Sequence, residues 1–192
     1  MDHTPDEVLN QLIEGNRRFV AGRPTQVISQ TPIIDRLKLA REQHPHAIVV
    51  SCSDSRVLPE LVFDQGLGSI FVVRNAGHAC DDVALGSIEY AIEHFHCPLI
   101  LVLGHERCGA VTAAVEGGEA PDHIAAVVNA IQPALEGANS REHAPLHPGV
   151  DWAVVANAQY VADQLRDTRL LAQRIGAGVL AASPRATSST PG

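Results

Sequence analysis

Three short apolar runs constrain this chain more than any other feature: Ala47-Ile48-Val49-Val50-Ser51, Ile70-Phe71-Val72-Val73 and Leu99-Ile100-Leu101-Val102-Leu103. Each is too brief for a helix and rich in β-branched residues, and none alternates apolar with polar positions. Near-continuous apolar strands are those covered on both faces, as in a parallel sheet. Parallel neighbours need long crossovers. One lies between the second and third runs, where Leu85, Ile88, Ile92 and Phe95 share a helical face and Asp81-Asp82 can cap its start, predicting a helix over Asp82–Phe95. The expected fold is therefore α/β, a mainly parallel central sheet flanked by helices in a single domain.

Other helices are expected around that sheet. Thr4-Pro5-Asp6-Glu7 offers an N-cap, a proline at the first helical position and a capping-box glutamate, so a first amphipathic helix carrying Val8, Leu12 and Phe19 should run to about Ala21. A surface connection over Gly22–Ile34 leads to a short helix through Arg36–Gln43. Further helices are expected over Cys108–Val115, Ile124–Leu135 and Asp151–Gln173, with a loop at His143–Gly149.

Composition narrows the function classes. The 192 residues, 45% of them apolar, suit one domain with a substantial core. With 22 acidic against 14 basic residues the formal charge is −8, which opposes binding to nucleic acid or an anionic membrane surface. No signal-like segment opens the chain and no apolar run approaches a membrane span, so a cytoplasmic protein is expected. In that reducing setting Cys80 and Cys97 read as small buried hydrophobes rather than disulfide partners.

The apolar runs end on residues that carry chemistry. The first ends in Cys52-Ser53-Asp54-Ser55-Arg56, the second in Arg74-Asn75-Ala76-Gly77, and the third in Gly104-His105-Glu106-Arg107-Cys108-Gly109. In open α/β sheets ligands collect at the carboxyl ends of the strands. Two thiols and an imidazole are zinc ligands, and three protein ligands leave a fourth position open for reaction. His105 and Cys108, three residues apart, can reach one ion around a helix's first turn. Gly104 and Gly109 flank these ligands, where backbone is expected to pass closely.

The segments C-S-D-S-R-V, F-V-V-R-N-A-G and L-G-H-E-R-C-G-A-V strongly resemble the β-class carbonic anhydrases, in a match extending from the first helix, with G-N-R-R-F-V, through the helix after Asp151. The resemblance implies one Zn²⁺ on Cys52, His105 and Cys108, with water, or Asp54 in a closed state, in the fourth position. It implies reversible hydration of carbon dioxide to bicarbonate, with Asp54 oriented by Arg56 as the catalytic pair. Gln65 would donate to a substrate oxygen, unless it is an ordinary loop amide, and Val57, Phe63 and Val73 would wall the pocket. Arg74 is expected to anchor a loop. A homodimer or tetramer is implied, with N-terminal helices embracing the partner. His78 is the nearest candidate proton carrier in sequence, although a surface histidine is the simpler reading; His44, His46, His94, His96, His143 and His147 lack ligand spacing. An inactive zinc-binding relative and a hydrolase of a small heterocumulene such as carbon disulfide stay open as alternatives. A redox protein is disfavoured, because no C-x-x-C is present.

One departure stands out. After Leu180 members of that family commonly continue in an edge strand reading V-V-G-A-R-Y-D-L-D-T-G, whereas this chain ends Ala-Ala-Ser-Pro-Arg-Ala-Thr-Ser-Ser-Thr-Pro-Gly. Residues 1–180 are therefore expected to form the domain and 181–192 an atypical, disordered tail, with the edge strand missing or altered. Codons for Ala186 through Gly192 read from their third base are compatible with Y-E-L-D-T-G, which points to a frameshift near Ala182.

Overall fold

The computed structural model describes residues 3–26, 28, 31–140, 150–176 and 181–187. Its centre is a sheet of four parallel strands, β1 (Ala47–Cys52), β2 (Ile70–Asn75), β3 (Leu99–His105) and β4 (Ala181–Thr187), in the order β2-β1-β3-β4. Around it lie α1 (Pro5–Val20), α2 (Ile33–Leu39), α3 (Pro59–Val62), α4 (Asp82–Phe95), α5 (Gly109–Glu116), α6 (Ile124–Ser140), α7 (Asp151–Asp167) and α8 (Arg169–Gly176). A short 3₁₀ turn, Ala76–His78, follows β2.

β1 and β3 are buried at every position, as their uninterrupted apolar character requires, whereas edge strand β2 is only half-buried beyond Ile70. Side chains alternate between two cores. On one face Ile48, Val50, Ile100 and Val102 meet Ile88 and Ile92 of α4, Val161 and Leu165 of α7, and Leu171 of α8. On the other, Val49, Leu101 and Leu103 meet Val8 and Leu12 of α1 together with Val57, Val62 and Phe63. A third cluster closes over the strand ends and contains Cys52, Cys108, Val111, Ile131, Leu135, Ala153 and Val154.

Local signals explain most boundaries. Thr4 and Glu7 form the reciprocal capping box of α1, and Asp81 caps α4 through a 2.8 Å bond from Ala84 N. α2 is displaced from the expected Arg36–Gln43, beginning at Ile33 after Pro32 at its N-cap and ending at Leu39. The helix expected over Asp151–Gln173 is two helices: Thr168 is extended (φ −66°, ψ 127°), ends α7, and accepts from Ala172 N to start α8. α6 continues past Leu135 to Ser140. The loop expected at His143–Gly149 lies outside the described residues apart from its flank. Among the described residues no helix is long and apolar enough to cross a membrane.

The expectation for the C-terminal segment is corrected over residues 181–187, where the edge strand is present with an altered sequence and is not a disordered tail. Residues 181–187 form a strand pairing with β3 from Leu99↔Ala181 to His105↔Thr187. Ladder pairing uses main-chain groups that any residue but proline supplies in full, and Pro184 is tolerated because an edge strand turns alternate N–H groups away from its neighbour. Residues 188–192 lie outside the described residues.

α1 fixes the loop after α3 by close approach. Its Gly15 faces Phe63, where an added Cβ would lie 1.8 Å from the carbonyl oxygen. Asn16 Nδ2 donates to Val62 O at 3.0 Å, and Arg18 Nε to the buried Asp64 carboxylate at 2.5 Å. Asp64 also accepts from Thr25 N, Thr25 Oγ1 and Gln26 N.

Candidate metal centre

β1 and β3 run side by side with Ser51 opposite Leu103, so Cys52 and His105 leave the sheet together at its carboxyl edge. Cys108 then caps the start of α5. One donor atom from each of the three residues lies within 4.8 Å of the others, and all three are buried. The sulfur atoms of Cys52 and Cys108 are 3.9 Å apart and unbonded. Two sulfurs on a tetrahedral zinc at about 2.3 Å would stand about 3.8 Å apart.

The imidazole is oriented for the same purpose. His105 Nδ1 is 3.0 Å from Glu106 O, to which it donates, leaving Nε2 buried with no hydrogen-bond partner among the described residues. A buried acceptor without a partner is costly, and a cation there removes the cost. The residues present thus fit a single zinc ion.

The charges agree with that reading. The Cys52 thiol is held well below its ordinary range, chiefly by the Cys108 thiol hydrogen-bonded to it; burial opposes the shift, while His105 and the N–H groups of Asp54 and Gly77 add to it. Cys108 is pushed up, first by donating to Cys52 and then by burial, although the Val111 and Ala110 N–H groups at the start of α5 favour its thiolate. The pair thus holds one proton that a dication would displace. Burial disfavours the His105 imidazolium, but Cys52 and Asp54 outweigh it and raise the pKa.

Asp54 and Arg56 form a two-pronged pair beside the thiols. Arg56 Nε donates to Oδ1 at 2.8 Å and Nη2 to Oδ2 at 2.6 Å, Arg56 N reaches Oδ1 at 2.9 Å, and Nη2 also reaches Arg107 O at 3.1 Å. These bonds, led by those of the Arg56 side chain, hold the Asp54 carboxyl well below the usual range and raise Arg56. Arg74 clamps the loop beneath them, donating to Cys52 O at 2.8 Å and Asp54 O at 2.6 Å; it anchors a loop, as expected.

The other candidates scatter within one chain. Val57 and Phe63 are buried in the α1-side core, and Val73 packs against the opposite core beside a groove of about 300 Å³ lined also by Phe71, Asp81 and Val83. Gln65 Nε2 donates to Phe63 O at 2.9 Å, and the residue lines a separate open groove of about 680 Å³ with Glu7, Arg18 and Ser69. These four belong to clusters or grooves other than the cluster that holds Cys52 and Cys108.

His78 is corrected outright. It is fully buried, not a surface residue, and burial pushes its pKa down to about 4, too low to carry protons near neutrality. Cys80 and Cys97 behave as small hydrophobes, their thiols pushed up to about 11 and about 12 by burial. Gly104 is closely approached, since a Cβ would meet Val154 Cγ1 at 2.8 Å, whereas Gly109 faces open space. The contact of Gly77 with Cys52, and that of Asn157 with Gly77 behind it, were not anticipated. The asparagine left a trace, being the one polar residue on a face otherwise made of Ala153, Val154, Ala158 and Val161.

A parallel α/β sheet with a buried Cys-His-Cys donor set at its strand ends defines a class, that of α/β proteins whose strand ends offer a thiolate–imidazole site able to hold a metal ion. Residues 47–183 match the family model described as carbonic anhydrase, and the chain belongs to the β-carbonic anhydrase family. It is 51% identical over 128 residues to carbonic anhydrase 2 of Mycobacterium tuberculosis, covering 65% of this chain and 61% of that protein. Over the same length it is 48% identical to a carbonic anhydrase of Mycolicibacterium smegmatis, again covering 61% of that protein. The match therefore spans less than two thirds of these relatives. The fold is similar to that of the β-carbonic anhydrase CcaA (TM-score 0.73, 24% identity, 95% of this chain and 91% of that one). It is also similar to that of the Coccomyxa β-carbonic anhydrase (TM-score 0.74, 22% identity, 94% of this chain and 82% of that one).

Proposed function

We propose that this chain catalyses the reversible hydration of carbon dioxide to bicarbonate and a proton, with one Zn²⁺ held by Cys52, His105 and Cys108. The observation that carries the reading is the orphaned, buried Nε2 of His105 facing two sulfurs at tetrahedral spacing, beside the Asp54–Arg56 pair. Zinc in that position supplies a Lewis acid that makes a water nucleophilic near neutral pH.

The chain's own residues supply the rest. Arg56 occupies both Asp54 oxygens, which fixes the carboxylate's direction and keeps it anionic, so it can accept a hydrogen bond from the attacking water. Should the pair open, Asp54 would be free to take the fourth ligand position, giving a closed state. Val111, Ile131, Leu135 and Val154 pack around the thiols, an apolar lining that suits a small neutral substrate.

Gln65, Val57, Phe63 and Val73 remain candidates for the substrate pocket, contributed across an interface between two copies. Exposed apolar residues near the N-terminus, Val20, Ile33, Ile34 and Leu37, support a homodimer or tetramer. Light scattering at micromolar concentration should show at least a dimer, and a monomer would overturn that part. Free thiols at the centre support a reducing, cytoplasmic setting.

The test is stopped-flow hydration with zinc quantified. Asp54→Asn should keep its zinc and lose a factor of about 10²–10⁴ in rate, and Cys52→Ser should lose the zinc. Zinc-replete wild-type protein without acceleration would leave an inactive zinc-binding relative, or a hydrolase of carbon disulfide, as the reading.

A further inference from the structure

Cys52 has a partner that belongs to none of the three ligand-bearing segments. Gly77 N donates to its sulfur at 3.3 Å. The carbonyl of the same glycine accepts from Asn157 Nδ2 at 2.9 Å, and that amide nitrogen is also 2.9 Å from His78 Nε2. Asn157 is 1% exposed and stands on the apolar face of α7. A buried amide among such side chains is unfavourable unless its polar atoms are used; here Nδ2 is spent on one turn, while Oδ1 has no partner among the described residues.

That turn needs holding. Gly77 has φ 61° and ψ 22°, and His78 follows at φ 46°, a left-handed conformation that a non-glycine residue adopts at a cost. A side chain at Gly77 would be strained by the positive φ and crowded, its Cβ meeting Ile131 Cδ1 at 2.6 Å and Ala110 Cβ at 3.1 Å. The turn is therefore packed by α5 and α6 and hydrogen-bonded from α7, and the hydrogen bonds come from Asn157.

We propose that Asn157 is a positioning residue for the metal centre: by gripping the Gly77 carbonyl, it keeps the Gly77 N–H on Cys52 Sγ and so sets how much charge that thiolate offers the ion. An N–H donor draws electron density from a thiolate, and outer partners of this kind change metal affinity by about 10–100-fold when removed. The inference rests on the zinc reading above for the identity of the ion and deepens it. Its readouts are affinity and spectrum, so zinc binding without carbon dioxide hydration would sink the proposed function and leave this inference standing.

The test uses full-length protein and two substitutions, Asn157→Leu, which fills the site, and Asn157→Ala, which adds no volume. In the cobalt(II)-loaded form the thiolate-to-metal charge-transfer band should move to longer wavelength, because a thiolate without its N–H donor holds its electrons less tightly. Zinc affinity by chelator competition should fall about tenfold or more. His78→Asn, which keeps the Asn157–Gly77 bond, should leave the band in place and the affinity within about twofold of wild type. An unmoved band in a folded Asn157 variant, or an equal shift in His78→Asn, overturns the proposal. Should both Asn157 variants fail to fold, cadmium-113-loaded wild-type protein decides it: the Gly77 amide proton should couple to the metal nucleus through Cys52 Sγ, and no coupling overturns it.

Discussion

Replacing His78 by Asn should flatten the dependence of stability on pH by an amount that follows from the burial of one ring. His78 is fully buried and its pKa is lowered by burial from 6.5 to about 4. As pH falls below 6.5 the unfolded chain takes up this proton while the folded chain does not. Its contribution is therefore complete above the unfolded value and is lost as pH falls toward the folded one. Between pH 8 and pH 5 the loss is about 2 kcal/mol from this residue alone. Unfolded carboxylates, which titrate near about 4, contribute little in that window. His46, lowered by burial in the same direction, is common to both proteins and cancels in the comparison. Asparagine also tolerates the left-handed backbone at this position, so the variant should fold. The assay is urea unfolding of wild type and His78→Asn at both pH values in saturating zinc. Wild type should lose about 2 kcal/mol more than the variant. Equal losses in the two proteins would refute the argument that the ring is held neutral by burial.

Other outcomes follow from the same contacts. Gly15→Ala should destabilise the chain by about 1–3 kcal/mol, because its Cβ would meet Phe63 O at 1.8 Å; an unchanged Tm would contradict that packing. Two thiolates donate more charge to zinc than imidazoles would, so hydration should be favoured on the alkaline side, and a pH–rate profile flat from about pH 6 to 9 would count against it. Third bases of the codons for Ala186–Gly192 should spell Y-E-L-D-T-G in the shifted frame, and any other reading removes the frameshift explanation for the altered β4 sequence.

Much of the centre was legible because it is assembled from strand ends. Cys52, Asp54 and Arg56 follow one apolar run, His105 and Cys108 follow another, and parallel pairing in register brings the two ends together. The same logic gave α4, whose cap and apolar face are both local. What was not legible depends on contacts between distant segments. The turn that carries His78 packs against Ala110 of α5 and Ile131 of α6 and is hydrogen-bonded by Asn157 of α7, 79 residues away in sequence. Val57 and Phe63 face the α1 core because Gly15 lets that helix approach, a condition no local pattern announces. β4 was missed because strand propensity weighs side chains, whereas β3 offers a free edge to any backbone that reaches it.

The most direct test of the central claim is to titrate the metal-free protein with zinc while following carbon dioxide hydration by stopped flow. The rate should rise in proportion to bound zinc and saturate at one equivalent per chain, with Cys52→Ser showing neither binding nor acceleration. A rate that ignores zinc, or one full equivalent bound with no acceleration, would contradict that claim.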